Sequence, residues 1–306
     1  MSQRKATKKT VKMSRTDKLY QFIGYIVFAL LILICAFPFY YLLISTISNN
    51  QLVELGRIYF LPKGIHFQNY VKILRLDNIL SSAFITLSRT MLGTLFTILV
   101  TSYMAYFFTK QNMWGRKFWY RLVVITMYFS AGMIPDYLNL RQLGLLNSFA
   151  VYIVPGAISV YNMILVKTSI EALPASLEES ALLDGAGYFT CFGRIILPLQ
   201  KPILATIGLF TAVWHWNDFF TTKLYITNTR LYTLQFRLYE LLSQVTSAAT
   251  QIDIASIDQL DAAATAITPT AIRLTLTAVV VLPIMCVYPF IQKYYVKGIM
   301  IGAVKG

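Results

Sequence analysis

Residues 177–187, LEESALLDGAG, carry three carboxylates within seven positions and end in two closely spaced glycines. Carboxylates at the start of a helix are stabilised by its free backbone N–H groups and by the positive end of its dipole. Ser176 and Glu179 have the spacing of a capping box, and Gly185 or Gly187 can adopt the left-handed turn that ends a helix. The pattern predicts a helix of about two turns, roughly 12 Å long. Because so short a helix is unstable alone, it must pack on its neighbours or on a partner.

Signatures of catalysis, metal binding and nucleotide binding are missing from the sequence. There are only two histidines, His66 and His215, and the three cysteines are too far apart for a metal site or a disulfide framework: Cys35, Cys191 and Cys286. No GxxxxGK[ST] segment is present to bind nucleotide phosphates. We therefore predict that this chain has no catalytic residue, metal site or cofactor. Any energy source must then be a gradient or another subunit.

The composition is that of an integral membrane protein. Of the 306 residues, 57% are hydrophobic and only 13% are charged, which would leave large apolar patches exposed on a water-soluble core. Six apolar runs are near the length of about 20 residues that spans a bilayer. They lie at 20–45, 80–108, 120–138, 149–170, 202–222 and 271–291. The predicted fold is an all-α membrane protein with six transmembrane helices.

The distribution of basic residues predicts the orientation, and it argues against nucleic-acid binding as the reason for the net charge of +14. With the N-terminus inside, the inner segments hold 17 of the 27 Lys and Arg residues, so we expect both termini in the cytoplasm. The predicted regions are a basic cytoplasmic tail (1–19), a six-helix domain (20–291) with an inner loop (171–198) and two outer loops (46–78 and 223–269), and a cytoplasmic C-terminal tail (292–306). The acidic second half of the later outer loop is either a solvated loop or a docking surface for an external partner.

The spacing within loop 171–198 resembles a known motif. Glu179-Ser180-Ala181, then Gly185 six positions after the glutamate, then Ile195-x-Leu197-Pro198, resembles the EAA loop of binding-protein-dependent ABC importer permeases. The sequence departs from the motif at Ser180, where the family has alanine, and Asp184-Gly185-Ala186 is similar to the sugar-importing branch. Other similar segments are Leu61-Pro62 to Asn69-Tyr70, Gly144-Leu145-Leu146-Asn147, Trp216-Asn217-Asp218-Phe219 and the ending YPFIQKYYVKGIMIGAVKG. Together they resemble the smaller permease of maltose-type importers, in the branch for oligosaccharides or polysaccharide fragments.

The resemblance implies a type I ABC importer permease fold, with loop 171–198 as the coupling segment. In this family the short helix sits in a groove of a cytoplasmic ATPase dimer, whose closure on ATP moves the transmembrane helices from inward-open to outward-open. The residues that it implies in coupling are Glu178, Glu179, Ser180, Ala181, Asp184, Gly185, Ala186, Leu197 and Pro198. ATP and Mg would be bound by the ATPase. The other implied partners are a sibling permease in a heterodimer, an extracellular lipid-anchored or periplasmic sugar-binding protein, the oligosaccharide, and the lipid of a bacterial plasma membrane.

Two further groups of residues each have two interpretations. An aromatic and polar group at the outer end of the fifth run either lines the substrate path, by stacking on sugars and hydrogen-bonding to them, or forms an interfacial belt: Trp214, Trp216, Asn217 and Asp218. Lys297 and Lys305 either reach the ATPase or only satisfy the excess of positive charge inside. An ion-coupled secondary transporter acting without an ATPase is the alternative function, and a membrane scaffold is a third. Asp218 lies within a span, whereas the acidic residues otherwise cluster mostly in loops, which disfavours the ion-coupled transporter.

Overall fold

The structure, a computed structural model, describes residues 14–75, 78–249 and 268–303, and throughout these residues it is helical without β-strands. The α-helices are α1 (Arg15–Thr46), α2 (Asn50–Glu54), α3 (Gln68–Leu74), α4 (Ile79–Thr109), α5 (Arg116–Thr126), α6 (Met133–Gln142), α7 (Val160–Glu171), α8 (Ser176–Leu183), α9 (Tyr188–Thr190), α10 (Leu197–Leu199), α11 (Lys201–Asn217), α12 (Phe220–Tyr225), α13 (Leu234–Ala249) and α14 (Pro269–Ala303). Short 3-10 helices occupy Phe149–Tyr152 and Thr229–Leu231, and a π-helix occupies Cys191–Ile196. The predicted all-α class is confirmed.

The chain divides into two compact units, of which the smaller consists of residues 1–69 and 258–274. Within it, α1 exposes large apolar side chains along most of its length, as expected of a helix that faces lipid. A small core forms only where α1 ends and α2 begins, from Ile44, Val53 and Ile58.

The larger unit, residues 70–257 and 275–306, is built around α4, which packs against α7 and α11. Glycines allow the close approach of α4 and α11. A Cβ placed on Gly93 would lie 2.5 Å from Nε2 of His215, and one on Gly208 would lie 3.0 Å from Ile98. Small residues at crossing points are the usual means by which helices approach closely in a membrane. The interface between α4 and α11 therefore depends on these two positions.

The described helices differ from the predicted apolar runs in the middle of the chain. Among the described residues, α1, α4 and Pro269–Cys286 are long and apolar enough to cross a bilayer, and Tyr188–Leu199 with Lys201–Asn217 forms a bent pair that could count as one more span. The third and fourth runs are interrupted. A break before Met133 contains Gly132 with φ +92°, and α7 starts only after Pro155 and Gly156. The number of crossings and the sidedness of the termini stay predictions.

Candidate functional site

The acidic helix forms where the sequence predicts it, but it starts differently. Helix α8 begins at Ser176, so Ala175 is the residue that precedes it, and no side chain caps its first turn. The predicted capping box is therefore wrong. Backbone carbonyls take its place, because the N–H of Leu177 donates to Pro174 at 3.2 Å and the N–H of Glu179 donates to Ala175 at 3.1 Å. An extra turn of backbone before α8 satisfies amides that the serine hydroxyl was expected to bind.

The end of α8 follows the prediction, with Gly185 rather than Gly187 in the left-handed conformation. Gly185 has φ +82°. Its N–H donates to the carbonyl of Leu182 at 3.1 Å, and the N–H of Ala186 donates to that of Ala181 at 2.9 Å. These two bonds form a Schellman motif, which turns the chain sharply out of the helix.

The two adjacent glutamates of α8 have different environments. The Glu178 carboxylate forms an ion pair with Lys110, the residue that ends α4, and accepts a 2.8 Å hydrogen bond from the Tyr106 hydroxyl. The Lys110 ammonium also lies 3.7 Å from the centre of the Tyr106 ring. Glu179 is exposed, and no hydrogen bond or ion pair of its side chain occurs in the described part of the chain. Glu178 thus anchors α8 to α4, whereas the Glu179 side chain is exposed.

The remaining side chains of the predicted coupling segment, residues 171–198, divide between the core and the surface. Ala181 and Ala186 pack against the core of the larger unit around Cys191 and Ile196. The outward-facing part of the segment mixes apolar, polar and acidic groups: Leu177, Ser180, Leu182, Leu183, Asp184 and Phe189. A short helix with one face packed on the fold and another exposed can be bound by a partner protein without unfolding.

The second half of the segment connects α8 to α11 through a sharp bend. Tyr188–Leu199 is helical, with a π-helical turn in its middle, and it meets α11 at 82°. Gln200 occupies the bend and is 3% exposed. Its Oε1 accepts a 2.5 Å hydrogen bond from the Ser169 hydroxyl of α7. Leu197 is half-buried and Pro198 is exposed just before the bend. Gln200 therefore joins the bend before α11 to α7.

A buried ion pair lies at the far end of α11. The Arg89 side chain is 0% exposed, forms an ion pair with Asp218, and donates a 2.9 Å hydrogen bond to the Asp218 carbonyl. Its guanidinium carbon lies 4.6 Å from the centre of the Tyr152 ring. The other oxygen of Asp218 accepts from the N–H of Phe220 at 2.9 Å, at the start of α12. The pair therefore fixes the break between α11 and α12 to α4.

The four residues predicted for the substrate path face in different directions. Trp216 is 8% exposed and donates from its indole N–H to the Val280 carbonyl of α14 at 3.0 Å. Asn217 is exposed and bonds to Gln235, while Asp218 belongs to the Arg89 pair. Trp214 is 52% exposed. It lines both of the cavities described next.

Two cavities in the larger unit meet at Trp214. The first has a volume of about 520 Å³ and is bordered by α6, Phe149–Tyr152, α11 and α12; its polar and aromatic lining includes Asp136, Asn139, Tyr152, Trp214 and Tyr225. The second has a volume of about 320 Å³ and a neutral polar lining that includes Thr97, Ser159, Asn162 and Thr211. Gly156 and Trp214 border both cavities, and a Cβ on this glycine would lie 3.5 Å from the indole ring. The indole is therefore the side chain between them.

Several of these residues could not be predicted as site residues from the sequence. Tyr106 and Lys110 lie one turn apart at the end of an apolar run, which indicates a shared helix face but not the partner 68 residues away. Asp136 lies in the third run, 120–138, which was predicted to be an apolar span, and Asn139 lies directly after it. Lys297 lies in α14, and Lys305 lies outside the described residues.

Comparison with known proteins is in keeping with this architecture. No protein-family model matches the chain. The chain is 35% identical to Protein LplC of Bacillus subtilis (strain 168), over 88% of this chain and 89% of that protein. It is 33% identical to the polygalacturonan/rhamnogalacturonan transport system permease protein YtcP of the same organism, over 95% and 99% of the two chains. A crystal structure of a bacterial ABC transporter involved in the import of the acidic polysaccharide alginate matches with a TM-score of 0.82 and 28% identity, over 94% of this chain and 100% of that chain.

The helical fold with a short, exposed helix between α7 and α11, together with these relatives, defines an ABC importer permease. Permeases are the membrane subunits of importers that also contain an ATPase and a substrate-binding protein. The chain belongs to the carbohydrate-uptake family of ABC transporter permeases. The fold class and the permease function predicted from the sequence are thereby confirmed.

Proposed function

We propose that this chain imports oligosaccharides across a bacterial plasma membrane as one of two different permease subunits. An extracellular lipid-anchored or periplasmic binding protein delivers the sugar, and a cytoplasmic ATPase dimer, which binds ATP and Mg, supplies the energy. The chain itself performs no covalent chemistry. Relatives named for polygalacturonan/rhamnogalacturonan and for arabinooligosaccharides support a saccharide substrate.

The observation on which the coupling proposal depends is the contrast between the two glutamates of α8. Glu178 is held by Lys110 and Tyr106, so it secures the helix to α4. Glu179, next to it, is exposed on the side that also presents Leu183, whose exposed fraction is 89%. A carboxylate beside an apolar side chain suits a groove with a basic residue at its edge. We assign Glu179 and Leu183 to the ATPase contact.

Copurification tests this proposal. In Glu179→Lys, retention of the ATPase in detergent should fall at least about tenfold, because a like charge is placed opposite the basic groove. Glu54→Lys is the matched control, since Glu54 is an exposed acid of α2, outside residues 171–198, and its substitution makes the same charge change. Equal retention in wild type and Glu179→Lys would contradict the assignment. Sugar uptake that continues on an ion gradient without any ATPase would favour the secondary transporter instead.

The two cavities joined at Trp214 support a substrate path through this chain. Sugars bind to proteins through aromatic faces and neutral hydrogen-bonding groups, and both are present in the lining. The burial of Trp216 and the Arg89–Asp218 ion pair support a role of these residues in holding α11 in place. We therefore place the sugar contact at Trp214.

A further inference from the structure

We infer that the first of the two cavities lined by Trp214 is a saccharide subsite of this permease. We also infer that it accepts an uncharged sugar ring in preference to a uronate. This inference rests on the proposed import function and concerns the cavity of about 520 Å³. A cavity of that size holds one or two pyranose rings, within the range of about 300–1,000 Å³ typical of small-ligand sites.

The aromatic part of the subsite is an accessible indole face. Trp214 is 52% exposed although its neighbours His215 and Trp216 are nearly fully buried, at 1% and 8%. An exposed indole on a helix whose adjacent residues are buried presents apolar surface to whatever occupies the cavity. The apolar face of a pyranose is suited to such a ring, and an aromatic contact of this kind contributes about two- to tenfold in affinity.

The polar part of the subsite is neutral apart from one carboxylate. Asp136 and Asn139 lie one turn apart on α6 and line the cavity opposite Tyr225. Burial and the nearby Asp136 charge raise the pKa of Tyr225, so that its hydroxyl remains a neutral donor and acceptor. An aspartate, an asparagine and a phenol together offer the donors and acceptors that sugar hydroxyls require.

No basic side chain in the described part of the chain lines either cavity. The Arg89 side chain is 0% exposed and forms an ion pair with Asp218, and its guanidinium carbon lies 4.6 Å from the centre of the Tyr152 ring and 5.8 Å from that of the Trp214 ring. A uronate carboxylate in the first cavity would therefore meet the Asp136 charge with no cation to compensate it. At a separation of about 6 Å, such like-charge repulsion disfavours the acid by about tenfold in a partly hydrated site.

Uptake by the assembled transporter in proteoliposomes tests the inference. The probes are neutral and uronate oligosaccharides of two to six residues, including trigalacturonate and its methyl ester, which share a backbone and differ in charge. Wild type should take up the ester about tenfold faster than the free acid at subsaturating concentration, and Asp136→Asn should reduce that ratio to about twofold or less. Glu54→Gln is the matched control, because Glu54 is an exposed acid of α2 that lines neither cavity. It should leave the ratio unchanged.

The outcomes separate this inference from the proposed function. Equal or faster uptake of the free acid by wild type, or a ratio that Asp136→Asn leaves unchanged, would overturn the charge preference. In Trp214→Ala, uptake of the ester should fall about two- to tenfold while ATPase retention stays normal, and unaltered uptake would remove the stacking contact. If Glu179→Lys still takes up the ester, and still takes it up faster than the free acid, the ATPase assignment fails and the subsite stands. If no saccharide is taken up by a complex that hydrolyses ATP, both proposals fail.

Discussion

The contact between α8 and α4 allows a direct test of whether a movement of α8 would also move α4. Glu178 accepts hydrogen bonds from the Lys110 ammonium and the Tyr106 hydroxyl, and its side chain is only 22% exposed. A hydrogen bond to a charged group in such a place contributes about 1.5–3 kcal/mol. Its loss should shift the equilibrium between anchored and loosened α8 by roughly 10- to 150-fold. The ATPase would then move α8 without moving α4 by the same amount.

The perturbation is Glu178→Gln, with Lys110→Met as its partner variant and the two combined in a double-mutant cycle. We expect each single variant to retain the ATPase but to import less sugar per ATP hydrolysed. We also expect the double variant to resemble either single one, because both substitutions remove the same interaction. The measurement is the ratio of sugar uptake to phosphate release in proteoliposomes that contain the binding protein. Glu171→Gln breaks the more exposed Lys167–Glu171 pair of α7 and should leave the ratio within experimental error.

Two results would refute this reasoning. If Glu178→Gln releases the ATPase while Lys110→Met does not, Glu178 contacts the ATPase directly and does not serve as an anchor. If the effects of the two variants add fully in the double variant, the residues act independently, which the ion pair between them does not allow. Unchanged transport per ATP in all three variants would show that α8 moves α4 by another route, such as the packing of Ala181 and Ala186.

Three further substitutions test the local geometry. Gly185→Ala should weaken ATPase retention by roughly 5- to 30-fold, because a left-handed φ of +82° disfavours any Cβ by about 1–2 kcal/mol; Gly187→Ala, at φ −77°, is the control that should retain it. Arg89→Met should lower stability by about 3–5 kcal/mol by leaving a buried carboxylate unpaired, measured as thermal unfolding in detergent. Adding Asp218→Asn should recover most of that loss, and no recovery would contradict the pairing. Gly93→Ala should destabilise the fold by about 1–3 kcal/mol, because its Cβ would lie 2.5 Å from the imidazole of α11; an unchanged unfolding temperature would contradict the close contact.

The sequence determines the local features of this permease. Apolar runs specify membrane helices, and the glycine at 185 specifies the turn that ends α8, because both depend on the chemistry of consecutive residues. The spacing from Glu179 to Pro198 predicts an EAA loop, by resemblance to the family motif. Local reasoning failed even within this segment at Ser176, where backbone carbonyls of the preceding turn bind the amides that the hydroxyl was expected to cap.

Only the tertiary structure distinguishes Glu178 from Glu179, or joins Arg89 to Asp218 across 129 residues. Adjacent glutamates have the same intrinsic chemistry, and which one meets Lys110 depends on how α8 packs against α4. The division of the aromatic group has the same origin, since the packing of α11 buries Trp216 and leaves Trp214 facing the two cavities. Ion pairs and cavities form between segments distant in the chain, so their energies are set by packing, whereas helices and turns arise from interactions between near neighbours.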